Sequence, residues 1–559
     1  MKKWFKEQEN RISLFIFLAV MIVACSPLIT KLCVNGHDLE YHLLRIESLK
    51  EGILAGRPFA RINLLYFGGA GYASSLFYPD FLLYIPAVLR VMGVGINAAY
   101  HIFVAIVICL TYLSTYVCVK QMTRSAYAGI LASFMLICSP YYLGDIYIRG
   151  AVGEYTAFIF LPFVLYGIYN VIYEHMDRPW ILGIGYAGVL LCHTNTFVFS
   201  LLFGLVAFLV KWKTFRERGV FWKLLVMGAL SALLTMFYWA PVLEMLLTTP
   251  LYVNDAWIGL EQSAMQFSSV FSMTFPSLGF LLVIPAFFRV LIKKNGQNRD
   301  LVDFADWLLA GGAIFAILTT DLIPWVRLNR YLSFVQFPWR LFVLATMMLA
   351  VADAIILYIF IRTSLEPHMP CMRILVVLLF SIFTILAFRV ISNAQITYYD
   401  YSEDYYSYKP YTGNVIAGEW LPKTVTNRDA LITDSEHMYT DQGDDLAFTR
   451  NRGSVEARIE TGYAYADVPL IYYKGYQAEI DTGSGKIRLS VCPGNNGLCR
   501  VSLDGNTGKL TVKYAGTVMQ TISMIVSLLT GLFLIVLLLY KKYCKNHSKQ
   551  KTQQGEETE

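Results

Sequence analysis

At 559 residues, with 56% hydrophobic and only 15% charged side chains and a mean hydropathy of +0.49, the chain carries more apolar surface than a soluble core of its size can hide. That excludes an ordinary soluble enzyme and leaves the bilayer to take up the excess. The formal net charge of +6 does not mark a nucleic-acid binder, because the basic residues fall in short clusters between apolar runs, a pattern that sets membrane topology.

In chain order, the first apolar run, Ile12 to Val34, follows a basic start and is long enough to cross about 30 Å of hydrocarbon. A cleaved signal peptide, the competing reading, would have a shorter apolar region ending at small residues. Further runs predict spans at Ile96–Val119, Ala126–Leu143, Tyr155–Tyr173, Trp180–Cys192, Thr196–Val210, Phe221–Ala240, Leu278–Ile292, Phe304–Thr320, Leu341–Ile361, Ile374–Ser392 and Val518–Tyr540, about twelve in all. Phe77–Met92 is apolar but short, with two prolines and Asp80, and reads as a helix in the interface. If it does not cross, Lys120, Arg178, the Lys211–Lys223 cluster, Lys293, Arg362 and Lys541 all face the cytoplasm with the N-terminus, as the positive-inside rule asks.

This topology predicts a multispanning helical domain over residues 1–392, with an outer loop at 35–95. A β-rich, sandwich-like outer domain follows at 393–516, then a last span at 517–541 and a cytoplasmic polar tail at 542–559. Both termini are then cytoplasmic, in the inner membrane. Runs such as Val455–Glu460, Pro469–Ile480, Lys486–Val491 and Lys509–Tyr514 alternate as strands, separated by glycine turns. Cys492 and Cys499 flank a hairpin loop in an oxidising compartment and are candidates for a disulfide; no Cys/His spacing suggests zinc.

The chemistry concentrates in Gly36-His37-Asp38-Leu39-Glu40-Tyr41-His42-Leu43-Leu44-Arg45. A helix starting near Asp38 sets Asp38, His42 and Arg45 on one face beside an apolar stripe, offering a base or metal ligand next to a phosphate site. The bland alternative is an N-cap with interfacial anchors. Arg149 and Arg340 lie at outer span ends, where cations are unfavourable; each also reads as a structural ion pair or an interface anchor, as Glu154 and Glu244 read as a paired or solvated acid. His193, in a polar break, and Tyr78 are further candidates. Tyr398–Tyr411 reads mainly as membrane-surface lining.

These motifs, with Phe77-Tyr78-Pro79, Gln336-Phe337-Pro338-Trp339-Arg340, Gly418-Glu419-Trp420-Leu421-Pro422 and Pro469-Leu470-Ile471-Tyr472-Tyr473-Lys474-Gly475-Tyr476, resemble the GT-C superfamily of membrane glycosyltransferases. Within it they are closer to the bacterial membrane proteins labelled 6-pyruvoyl-tetrahydropterin synthase-related and to YfhO-like proteins. The resemblance implies transfer of a sugar from a polyprenyl-phosphate carrier to an envelope glycan such as teichoic acid or polysaccharide. It implies Asp38 as general base or as ligand of a divalent Mg or Mn ion, with His37, His42 and Glu154 assisting. Arg340, helped by Arg149 or Arg45, would hold the phosphate. Asp38 and Glu40 stand about 200° apart around a helix, so only Asp38 carries over from the acidic motif. A flippase for a lipid-linked sugar and a non-catalytic envelope scaffold are the alternatives; an internal repeat or mid-span charges would favour the first, and only Asp353 is such a charge.

Overall fold

The computed structural model describes residues 2–213, 216, 219–254, 259–365, 396–401, 418–451 and 453–556, with isolated positions at 378, 382 and 385. The expected span Ile374–Ser392 and most of Tyr398–Tyr411 lie outside the described residues. Five described helices are long and apolar enough to cross a membrane: Ile96–Thr123, Val152–Tyr173, Arg299–Leu318, Pro338–Thr363 and Val518–Cys544. Two bent pairs, Ala126–Ile137 with Pro140–Arg149 and Val220–Leu234 with Met236–Thr248, raise the number to seven if each is one span.

The shortfall from twelve has local causes. Pro27 cannot donate to a continuing helix, so the first helix stops at Ala24 instead of Val34, and Cys33–Val34 becomes a strand paired with Tyr398–Tyr399. Over Leu278–Ile292, Gly279 at φ +77° and Pro285 break the run into two short 3-10 turns, so no spanning helix forms there. Trp180–Leu190 and Thr194–Val210 are two short helices, with His193 between them. Phe77–Met92 is also short, ending in the helix Tyr84–Val91.

The bends have visible partners. Ser139 caps a restarted helix at Pro140, giving the 46° bend. At the 73° bend the Ser527 hydroxyl accepts from Phe237 N–H at 2.9 Å and donates to Leu233 C=O at 2.9 Å, entering the ladder where those two groups would otherwise meet. The last helix, otherwise little buried, is thereby fixed to the bundle through the one stripe that is, Gln520, Ser523, Ser527 and Thr530.

The β-rich domain holds two antiparallel sheets around a shared apolar core. One runs Phe448–Asn451, Ser454–Ile459, Gly508–Tyr514, Tyr476–Asp481, Lys486–Leu489; the other Tyr439–Thr440, Tyr465–Ile471, Leu498–Ser502, Val491–Pro493. Val455, Ala457, Ile459, Ala478, Ile480, Leu510 and Val512 share the inward face of the first sheet. The expected single strand Pro469–Ile480 is two: Gly475, at φ +121°, turns the chain from one sheet to the other. The same core continues into Tyr66, Phe67, Tyr72 and Leu76, so the domain sits on the loop that follows Leu39–Leu54.

Cys492 and Cys499 are both free. Cys492 pairs with Arg500 across the ladder, so Cys499, one residue earlier, points to the opposite face of the sheet. Cys492 is exposed and Cys499 buried. A maleimide should therefore modify Cys492 in the folded protein without reductant. Cys492→Ser should remove that labelling and leave the melting temperature unchanged; a mass spectrum showing a 492–499 crosslink would contradict the register.

Candidate functional site

The opening motif places its acid by a close backbone crossing. A Cβ on Gly36 would lie 2.8 Å from the Arg149 carbonyl oxygen, and one on Gly150 would lie 3.0 Å from Leu39 Cβ, so the two segments touch only because both are glycine. The crossing is fixed by Asp38 N–H to Arg149 C=O at 2.7 Å and His37 N–H to Ile148 C=O at 3.1 Å. Asp38 occupies the N-cap position of Leu39–Leu54, but its side chain makes no capping bond. It turns instead to Arg149.

Arg149 closes a single π turn, Asp145–Arg149, and its guanidinium holds three carboxylates: Asp38 Oδ2 at 3.0 Å, Asp145 Oδ1 at 2.9 Å and Glu154 Oε1 at 2.7 Å. Its flat face lies over the Trp339 ring at 4.6 Å. Glu154, almost fully buried, also meets Arg340 Nε at 3.0 Å and accepts from Tyr141 OH at 3.0 Å. Arg340 donates to Gln336 Oε1 at 2.5 Å, and its Nη2 has no protein partner among the described residues. Asp38 is the open member of this network, with 41% of its side chain exposed against 1% for Glu154.

Asp38, Glu154, His193 and Arg340 line one cavity of about 610 Å³, together with Tyr78, Arg149 and His42. Other candidates fall elsewhere. His37 is exposed and outside the cavity. Arg45 is fully buried and does not line it: its guanidinium donates to Asp80, to the Tyr78 and Pro79 carbonyls and to His42 Nδ1, stapling the Tyr-Pro segment to the helix. Glu244 pairs with Lys474 at 3.0 Å and accepts from Thr517 Oγ1, joining the turn between the sheets to the last helix. Glu40 also lies outside the cavity.

The histidines are donors or spectators rather than strong bases. An arginine can only donate, so His42 Nδ1 accepts and Nε2 carries the proton. Burial, then the Arg45 and Arg149 charges, push the pKa of His42 well below the ordinary histidine range. Burial likewise lowers His193 to about 4, and its Nδ1 faces Thr196 Oγ1 at 2.8 Å.

Sequence reasoning quoted Glu419 and Trp420 only as part of a motif, yet both line the cavity. Trp420 stacks on Phe77 at 5.8 Å and is fixed by Tyr72 and Tyr473, so the β-rich domain contributes a wall of the site. Burial raises the Glu419 pKa. Trp339 and Tyr41 were likewise quoted only inside motifs, and Asp145 was missed. Asp145 sits four residues before Arg149, a helical ion-pair spacing that could have pointed to it.

A divalent ion would need several hard ligands. Among the described residues no three His, Cys, Asp or Glu side chains are grouped to hold a metal, and Asp38 and Glu154 both face Arg149. This donor set does not build a metal centre.

No protein-family model matches the chain. An uncharacterized protein of Lactococcus lactis subsp. cremoris (strain MG1363) is 21% identical over 604 aligned positions, spanning 95% of each chain. Among solved structures, the mycobacterial arabinofuranosyltransferase AftD matches 69% of this chain and 27% of its own (12% identity, TM-score 0.41). The oligosaccharyltransferase AglB of Archaeoglobus fulgidus, solved with an inhibitory peptide and a dolichol-phosphate, matches 72% and 58% (13%, 0.42). ArnT of Cupriavidus metallidurans, bound to undecaprenyl phosphate, matches 62% and 60% (16%, 0.39). The chain thus spans less than two thirds of each of these three solved chains.

Two outcomes follow. Arg149→Met should destabilise the protein by about 3–5 kcal/mol in denaturant or thermal unfolding, because three carboxylates lose their common cation. The unfolded chain protonates its histidines near pH 6.5 while folded His42 stays neutral, so stability should fall as pH drops below about 6.5, by about 1.4 kcal/mol per pH unit for that residue. His42→Gln should flatten the fall in melting temperature between pH 7.5 and 5.5; an unchanged slope would assign it to other groups.

Proposed function

We propose that the chain is a glycosyltransferase that moves a sugar from a polyprenyl-phosphate carrier to an envelope glycan, on the outer face of the cytoplasmic membrane. The observation that carries this reading is one cavity joining an open carboxylate, Asp38, to a cation with a free donor, Arg340. An apolar groove of about 820 Å³ runs along the same helices: Phe197 and Trp239 line the groove, and their chain neighbours Val198 and Tyr238 line the polar cavity. A carrier's phosphate and hydrocarbon chain need such a pair of surfaces side by side.

In the proposed reaction Asp38 takes the proton of an acceptor hydroxyl as its oxygen bonds to the anomeric carbon. The bond from that carbon to the phosphate oxygen breaks, and the electron pair leaves with the polyprenyl phosphate. Arg340 meets the charge developing on that phosphate. Arg149 is committed to three carboxylates and serves to hold Asp38 in place. Glu154 orients Arg340, and neutral His42 offers a hydrogen-bond donor rather than a base. Trp420 and Glu419, from the β-rich domain, shape the acceptor side.

The test is Asp38→Asn, which keeps an oxygen for Arg149 and removes the base. Sugar transfer from polyprenyl-phosphate donors in membranes should fall about 10²–10⁴-fold with an unchanged melting temperature. Full transfer by a folded Asp38→Asn protein overturns the mechanism. Wild type that moves lipid-linked sugar across vesicles and transfers none would instead be a flippase.

A further inference from the structure

A second cleft, of about 570 Å³, lies between the C-terminal half of Leu39–Leu54, the loop after it and the β-rich domain. Its size is that of a ligand site. Three guanidinium groups line it, and each is held by backbone. Arg57 donates to Gly453 C=O at 2.8 Å, Arg61 to Phe237 C=O at 2.7 Å, and Arg450 to the Gly69, Ser435 and Pro469 carbonyls at 2.6, 2.7 and 3.0 Å. Gly69 and Gly453, at φ +98° and +93°, let the side chains of Arg450 and Arg57 lie flat on the chain; a Cβ on Gly453 would reach within 2.5 Å of Arg57.

Carbonyl oxygens satisfy N–H groups and do not neutralise charge. Among the described residues none of these three arginines has a carboxylate partner, in contrast to Arg45, Arg90 and Arg149, each paired with an acid. Burial lowers the Arg450 pKa to about 10 and lowers that of Arg61, as expected for cations lacking a counter-charge. Of the acids lining the cleft, Glu51 lies 3.6 Å from Lys50, and Glu436 is exposed. Ser48 Oγ and Tyr476 OH, both on residues lining the cleft and over nine-tenths buried, have no hydrogen-bond partner. Three cations without a carboxylate partner, lining one cleft, suit an anionic ligand.

The two cavities share one helix. Asp38 and His42 line the first at its start, and Ser48, Glu51 and Gly52 line the second. Fourteen residues at 1.5 Å each separate Asp38 from Gly52 by about 20 Å. We infer that the second cleft docks an anionic glycan chain, bearing phosphodiester or carboxylate groups, whose end reaches Asp38. That the occupant is a glycan rests on the transferase reading; that it is anionic rests on the three arginines.

Full-length protein in nanodiscs of neutral lipid is titrated with a glycerol-phosphate oligomer, a uronic-acid oligomer and a neutral dextran of matched length. At least one charged oligomer should bind more tightly than dextran, with an affinity that falls as salt rises. Arg61→Gln and, separately, Arg57→Gln should weaken it at least about tenfold with little change in melting temperature. Equal binding of charged and neutral oligomers, or full affinity in both folded variants, overturns the proposal. So does displacement of the glycan by phosphatidylglycerol in the disc, which would assign the cleft to a lipid headgroup. Binding is read without turnover. A wild type that docks the charged glycan and transfers no sugar therefore overturns the transferase reading alone. One that transfers sugar but does not distinguish the oligomers overturns this inference alone.

Discussion

The site depends on one cation. Arg149 is almost fully buried, and three carboxylates from three segments converge on it: Asp38 from the loop after the first helix, Asp145 from its own π turn, and Glu154 from the start of the next helix. A fourth segment supplies both the Trp339 ring beneath its face and Arg340 on the far side of Glu154. A buried ion network of this kind contributes little net stability compared with apolar packing, but it penalises every arrangement that leaves a charge unpaired. It therefore fixes where Asp38 points. An N-cap aspartate would ordinarily bond to its own helix; here the guanidinium draws the side chain away from the helix end and into the cavity.

The backbone prepares that capture. Gly36 and Gly150 let two segments cross at contact distance, and the crossing bonds from His37 and Asp38 to the chain at Ile148 and Arg149 bring the carboxylate and the guanidinium into register. Arg45 fixes the next layer. By holding Asp80 and the Tyr78 and Pro79 carbonyls it brings Tyr78 to the cavity wall, and its charge adds to the burial that keeps the His42 imidazole neutral. Arg45 and Arg149 thus do a different job from Arg340: their charge is met by carboxylates and they hold structure, whereas Arg340 keeps Nη2 without a partner among the described residues.

The legible part of this protein was the part written in local periodicity. Long apolar helices such as Ile96–Thr123 and Val518–Cys544 stood where hydropathy put them, and the strands around Val455 and Lys509 followed from alternation. Runs interrupted by Pro27, Gly279 or Pro285 did not become spans, because a hydropathy window sees apolar side chains and not the missing donors or the positive-φ turn. The site was legible as a set of residue types at helix ends: Asp38, Glu154, His193 and Arg340 do share a cavity. Which arginine stays available was not legible. Arg45, Arg149 and Arg340 differ only in the partners that tertiary structure brings, and Asp80 lies 35 residues from Arg45.

The β-rich domain completes the argument about geometry. Tyr72 and Tyr473 hold the backbone of Trp420 in the cavity wall, one from the loop after Leu39–Leu54 accepting its N–H and one from the turn between the sheets donating to its carbonyl. That turn, through Lys474 and Glu244, is tied in addition to the helix Met236–Thr248, whose Tyr238 lines the same cavity and donates to the Phe77 carbonyl. A rigid displacement of the domain would therefore move Trp420 and strain the segment carrying Phe77 and Tyr78 together. The cavity wall is thus shared by domain and bundle, so whatever the domain holds is positioned relative to Asp38 by the same contacts that hold the domain in place.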